Sequence, residues 1–159
     1  MKFDKEAICV FQDSNIKGNI IFREYKLKKH TEIIIDISNV PEGLHGFHIH
    51  QSGDLREGCS SLCAHYNPTN KQHGGREDTE RHIGDLGNIT AKKNGIVKSI
   101  FTDKKIKLSG KYSIVGRSVV IHADEDDLGK GGNKESLKTG NAGKRIACGV
   151  IGLSKNSCY

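Results

Sequence analysis

The sequence predicts an all-β protein, eight short antiparallel strands arranged as a sandwich or barrel. Three observations carry that reading. Apolar residues recur with a period of two wherever a period can be read. Glycine makes up 19 of 159 residues, against only 2 prolines. No segment keeps a 3.6-residue apolar period for three turns. The strands fall at about 7–12, 17–25, 32–38, 45–51, 87–92, 95–102, 117–123 and 146–152. The third is the clearest: Ile33, Ile35 and Ile37 share one face, and Asp36 and Ser38 take the other. Asn94-Gly95 and Ser109-Gly110 are turn signals between strands.

Residues 1–159 make one domain's length, long enough to bury roughly two-thirds of the unfolded surface without disulfides. The balance of 25 basic and 19 acidic residues gives a net charge of +6. The basic residues are scattered and the aromatics few, so no nucleic-acid stacking surface is expected. A solvated surface, or attraction of a small anion, fits better. The longest apolar run is far short of a membrane span, and MKFDKEAICVF lacks the apolar segment of an export signal. The expected location is the cytoplasm, a host's cytoplasm if the source is a virus. Five cysteines at 9, 59, 63, 148 and 158 are too irregular for a secreted disulfide scaffold. Their odd number leaves a free thiol or an intermolecular bond.

Two stretches, 52–86 and 124–145, break the strand rhythm and exceed the ~12–15 residues usual for an unstructured loop. Both are rich in His, Cys, Asp and Gly, so ordering around something bound is expected. His48 and His50 flank Ile49 in a strand-like run, which puts both imidazoles on one face about 7 Å apart. His45, of opposite parity, reads as a hydrogen-bonded core histidine, and His30 among lysines as a solvated one. The loop then supplies His65, His73, His82 and Asp85, a donor set that suits a closed four-coordinate zinc site. Cys59-x-x-x-Cys63-x-His65 is a competing thiolate arrangement that leaves the later cluster unexplained.

The runs GLHGFHIH (43–50), GCSSLCAHYNP (58–68), KQHGG (71–75), RHIGDLGNITA (81–91), VVIHADEDDLGKGGN (119–133) and KTGNAGKRIACGVIGL (138–153) resemble the copper,zinc superoxide dismutase family. The resemblance is nearly continuous over 43–153 and looser over 7–42. It implies an eight-stranded Greek-key β-barrel with a zinc and disulfide loop at 52–86, a channel loop at 124–145 and a short extra tail at 154–159. It implies one copper per subunit on His48, His50, His65 and His122, and one zinc on His65, His73, His82 and Asp85. His65 is then a bridging imidazolate. The implied activity converts superoxide to dioxygen and hydrogen peroxide by Cu(II)/Cu(I) cycling, with His65 carrying a proton. The alternative is a metal-binding module of the same fold without turnover.

By the same resemblance Asp126 bonds both His48 and His73, Arg145 docks the anion beside copper, and Thr139 narrows the channel. Lys134 and Lys138 add charge to the channel loop, and Cys59 and Cys148 form a disulfide. Expected partners are superoxide, a second copy of the chain in a homodimer, and a copper chaperone. The chain departs from the family pattern at several places. Ser52 stands where a large apolar dimer residue is common, and Lys134 where an acidic one is common. Leu137 replaces a small polar residue, and Cys63 and Cys158 are extra. The sequon at Asn88 is expected to be silent.

Overall fold

A computed structural model describes residues 2–158. Eight strands follow in order: β1 (Lys5–Phe11), β2 (Lys17–Tyr25), β3 (His30–Ser38), β4 (Gly43–His50), β5 (Asp85–Ala91), β6 (Val97–Asp103), β7 (Ser118–His122) and β8 (Arg145–Leu153). One four-residue helix, α1 (Ser136–Thr139), lies in the second long loop, and 3₁₀ turns lie at Gly58–Leu62 and Lys155–Ser157. The paired strands are antiparallel, in the spatial order β5-β4-β7-β8-β1-β2-β3-β6. The sheet curls into a nearly closed barrel, its seam between edge strands β5 and β6. The β3–β4 and β6–β7 connections each cross the barrel, which makes the topology a Greek key.

The period-two pattern is the pleat itself. Ile33, Ile35 and Ile37 are buried with Ala7, Cys9, Phe11, Ile20, Phe22, Phe47, Ile49, Val119, Ile121 and Ile151 in one core. Residues of opposite parity point out. The register Ile8–Ile21–Ile34–Ile100 runs as one outward row across β1, β2, β3 and β6. All eight expected strands are present, with shifted ends. β1 and β3 each start two residues early because polar groups there are buried. Thr31 donates to the Ile106 carbonyl at 2.7 Å. Glu6 accepts from Arg23, Ser154 and Asn156, which also ties down the extra tail. Residues 104–117 form a third long connection that periodicity did not single out. Its Ile106, Leu108 and Ile114 are fully buried and plug the barrel end.

β4 is buried on both faces over its last six residues, as its neighbour β7 is along all five. Phe47 and Ile49 face the core, while His48 and His50 face outward beneath the two long loops. His45 is buried too, with its ring nitrogens 2.9 Å from the His122 carbonyl and 2.8 Å from that of Pro41.

The parity assignment is testable by urea unfolding. Ile35→Ala, in the core, is expected to cost about 2–5 kcal/mol. Ile100→Ala, at a position 67% exposed, should change stability by no more than about 0.5 kcal/mol.

Candidate metal centre

Short backbone pairings bring the first loop onto β4. Tyr66 N donates to the Ile49 carbonyl at 2.8 Å, Gln51 N to the Ala64 carbonyl and Ile49 N to the Gly84 carbonyl, each at 2.9 Å. His65 thereby lies opposite His50 as if on an added strand. His122 closes β7, which pairs with β4, so three separate segments aim imidazoles at one place. The Nε2 atoms of His50 and His122 are 3.3 Å apart.

Hydrogen bonds fix which nitrogen of each ring is free. His50 Nδ1 donates to the Cys63 carbonyl at 2.8 Å, and His122 Nδ1 to the Gly143 carbonyl at 3.0 Å. Both therefore present a bare Nε2. His48 is reversed: its Nε2 meets Asp126 Oδ2 at 2.7 Å, and its buried Nδ1 has no hydrogen-bond partner. His65 Nδ1 lies 2.9 Å from Asp85 Oδ1, which leaves Nε2 for the first group. Four ring nitrogens from His48, His50, His65 and His122 thus converge, all within 4.8 Å of one another.

The second group gathers on the other side of His65. Asp85 Oδ1 lies 2.9 Å from His65 Nδ1, 2.9 Å from His73 Nδ1 and 3.0 Å from His82 Nδ1. His73 Nδ1 is close to that oxygen but unaligned with it, and has no hydrogen-bond partner. Three nitrogens and one oxygen pointing at a shared centre match a tetrahedral zinc set. Four nitrogens suit Cu(II). The orphaned Nδ1 atoms of His48 and His73, one in each group, fit metal ligation better than any hydrogen-bonded role.

Asp126 spans the two groups, with Oδ1 2.7 Å from His73 Nε2 and Oδ2 2.7 Å from His48 Nε2. Gly140, at φ 69°, lies so close that a Cβ there would meet Asp126 Oδ1 at 2.0 Å and His73 Nε2 at 2.5 Å. Only glycine fits.

Burial sets the charge states. It pushes His48 well below 6.5, reinforced by His65 and His122, and it lowers His50 and His65. Burial also brings His122 down to about 4. The first group is therefore neutral and ready to ligate. Asp85 is the converse: burial opposes its charge, but hydrogen bonds with His65 and His82 and the close approach of His73 hold it far below the usual carboxylate range. His73 is opposed by burial yet raised to about 9, because Asp126 and Asp85 flank its two nitrogens.

Arg145 pairs with His122 across the β7–β8 ladder, at a bulge. Its Nη1 donates to the Cys59 carbonyl and its Nη2 to the Cys63 carbonyl, both at 2.7 Å. Cys59 is bonded to Cys148, with Cα atoms 5.8 Å apart, so the thiolate arrangement on Cys59 does not form. Cys9 is buried, while Cys63 and Cys158 are free and exposed. An open cleft of about 1040 Å³ reaches His50, His65 and His122 between walls that include Lys134, Lys138, Thr139 and Leu137.

Two supporting residues escaped sequence reasoning. Asn88 donates to the Asp126 carbonyl at 2.9 Å and accepts from Asp126 N at 2.7 Å. Its amide is thus engaged, a physical reason for the sequon to be silent. Arg81, buried, donates to the Asp85 carbonyl at 2.7 Å and to Asp103 Oδ2 at 2.6 Å. Its place beside His82 was the available signal.

The family model for copper/zinc superoxide dismutase matches residues 16–151. A Cu-Zn superoxide dismutase of Paramecium bursaria Chlorella virus 1 is 56% identical over 152 residues, covering 95% of this chain and 80% of that protein. One from Kluyveromyces lactis is 56% identical over 150 residues, 93% of this chain and 97% of that one. A crystal structure of the clock protein EA4 superposes with a TM-score of 0.91 at 42% identity, covering 97% of this chain and 98% of that one.

Two measurements test the site. A folded-state value for His73 above its ordinary 6.5 means that its ion pairs stabilise protein stripped of metal fully below about pH 6.5. That contribution disappears as pH rises through about 9. Zinc uptake near neutral pH must therefore release the His73 proton. Calorimetry in two buffers of different ionisation enthalpy reads this, and buffer-independent heats would contradict it. Cys63 has φ 64° and ψ −159°, a backbone region reserved almost wholly for glycine at a cost of about 1–3 kcal/mol. Cys63→Gly is expected to raise the unfolding midpoint in denaturant.

Proposed function

Because the chain belongs to the copper/zinc superoxide dismutase family and is an oxidoreductase acting on superoxide, we propose that its two donor groups, joined through His65, divide the reaction. The observation that carries this reading is the sharing of His65, with Nε2 toward the all-nitrogen group and Nδ1 toward the N3O group. Copper on the first group, one per subunit, would supply a one-electron couple, and zinc on the second would fix and polarise His65. Every other role falls to the chain's own residues.

Superoxide enters the cleft toward Lys134 and Lys138, whose charges raise the local concentration of anions. Thr139 narrows the entrance. Arg145 docks the anion with a charged planar fork beside His122. Two superoxide ions and two protons become one dioxygen and one hydrogen peroxide. His65 Nε2 takes up one proton during the first half and gives it up in the second, and solvent supplies the other. Asp126 holds His48 and His73 in orientation throughout. Neither a first-group histidine nor the channel arginine is missing, which argues against a module without turnover.

The working unit is proposed to be a homodimer. Support comes from the exposed Val10, Val150 and Leu153 on β1 and β8, 43%, 36% and 50% accessible. Nearby, Gly53 packs close to the Gly116 carbonyl and Val150. A copper chaperone is the class of partner that would load the first group. The cytoplasm, a host's if the source is a virus, is the proposed location.

Stopped-flow decay of superoxide, using protein loaded with one copper and one zinc, tests the reading. Fast decay that slows with added salt is expected. Arg145→Ala should slow it about tenfold or more, and Lys134→Glu should slow it and flatten the salt dependence. Absence of decay at confirmed copper loading would sink the enzymatic reading. Sedimentation should give twice the 17.5 kDa chain mass, and a monomer would refute the dimer.

A further inference from the structure

An exposed leucine in a channel meant to attract a small anion has no role in that attraction. Leu137 is 39% exposed on α1, three residues after Lys134 and next to Lys138. Its carbonyl accepts from His73 N at 2.9 Å, so α1 is anchored and the residue's place at the cleft wall is fixed. It lines both the main cleft and an adjoining cavity of about 460 Å³ shared with Gly129, Gly132, Asn133 and Lys134. Ala64 and Ala142 add apolar wall on the cleft side. The adjoining cavity alone far exceeds what a two-atom anion occupies and lies in the range of small-molecule sites.

The charges at this mouth are complementary to an anion. Lys134 and Lys138 have no ion-pair partner among the described residues, whereas Lys71 on the facing wall is held by Glu80 at 3.1 Å. Glu135 also lines the cleft, with Oε1 engaged by the Thr139 hydroxyl at 3.2 Å. Two unpaired cations bracketing an exposed apolar side chain make a surface that neither a simple inorganic anion nor a neutral hydrocarbon uses fully.

We propose that the cleft mouth binds amphipathic monoanions of the medium-chain carboxylate class, with the head group at Lys134 and Lys138 and the alkyl tail against Leu137 and the adjoining cavity. Occupancy would obstruct the path to His50, His65 and His122, a consequence that rests on the function proposed above. The binding itself does not rest on it.

Calorimetric titration of copper- and zinc-loaded protein with acetate, hexanoate, octanoate and decanoate, at constant ionic strength and below micelle formation, tests the site. Affinity is expected to rise about two- to fourfold per added methylene, as partial to full burial of each predicts. Leu137→Thr should weaken decanoate at least about fivefold, in line with the loss of one to two methylenes of contact, and leave acetate unchanged. Leu137→Met, which keeps the apolar contact, should retain decanoate binding. Lys134→Glu should weaken the whole series. Affinity independent of chain length would overturn the proposal, as would a Leu137→Thr protein that binds decanoate like the parent. Protein that shows the chain-length series but no superoxide decay would keep this site and sink the catalytic reading.

Discussion

Six histidines and two carboxylates are buried together between the barrel and its two long loops, and the surrounding structure exists to make that tolerable. Burying ionisable groups without compensation is costly, yet His48, His50, His65, His73, His82, His122, Asp85 and Asp126 are all at most 6% exposed. Two different solutions appear side by side. On the β4 and β7 side, burial strips protons from the imidazoles and leaves neutral rings with lone pairs aimed inward. On the loop side, against the opposing effect of burial, the rings of His65, His73 and His82 hold Asp85 far below the usual carboxylate range, and backbone N–H groups serve both carboxylates, from Gly74 and His82 for Asp85 and from Leu128 for Asp126. Bare nitrogen lone pairs on one side, and a carboxylate ringed by imidazoles on the other, both suit a cation at their focus, so the donor geometry and the electrostatics ask for the same occupants.

That cluster sits outside the barrel core, which explains the architecture around it. The core is an ordinary period-two filling of isoleucine, phenylalanine and valine. The outer face of β4 would be wet without the two long loops, and the loops have little apolar material with which to hold themselves down. Covalent and polar ties do it instead. The Cys59–Cys148 bond closes a sequence separation of 89, worth on the order of 4–5 kcal/mol in chain entropy. Arg81 anchors the segment before Asp85, and Asn88 anchors Asp126. The site is thereby held from β5, β6 and β8 as well as from its own loops.

Much of this was legible in the residues. Alternation gave the strands, and His48-x-His50 with the His65, His73, His82 and Asp85 series gave the donors. Spacing alone did not decide between that series and the thiolate set on Cys59, Cys63 and His65; the likeness to a family did. What stayed hidden was mostly polar. A buried Glu6 or Thr31 at a strand start looks like loop in a hydrophobicity pattern, because the Ser154 hydroxyl and the Ile106 carbonyl that pair with them are more than seventy residues away. Arg81, Asn88 and Gly140 act through tertiary contacts that leave no local periodic trace. The 104–117 connection was missed for the same reason, its three apolar plugs being too irregular to form a stripe.

Arg81 and Arg145 separate structural from functional charge within one site. Arg81 donates from Nη2 to Asp103 in a buried pair, so its charge is cancelled where it sits, and its Nη1 serves the Asp85 carbonyl. Arg145 is held as firmly, but by the carbonyls of Cys59 and Cys63, which orient a guanidinium without neutralising it. A carboxylate in their place would give a stronger contact and remove the positive charge that an incoming anion must meet. The Cys63 carbonyl also takes the proton of His50 Nδ1, so one peptide group both aims the arginine and selects the histidine's tautomer. Holding that carbonyl in place requires a positive φ at Cys63, where the backbone strain of the loop is concentrated. The strain, the disulfide and the uncancelled charge are thus parts of one device that keeps a cation ready at the end of an anion's path.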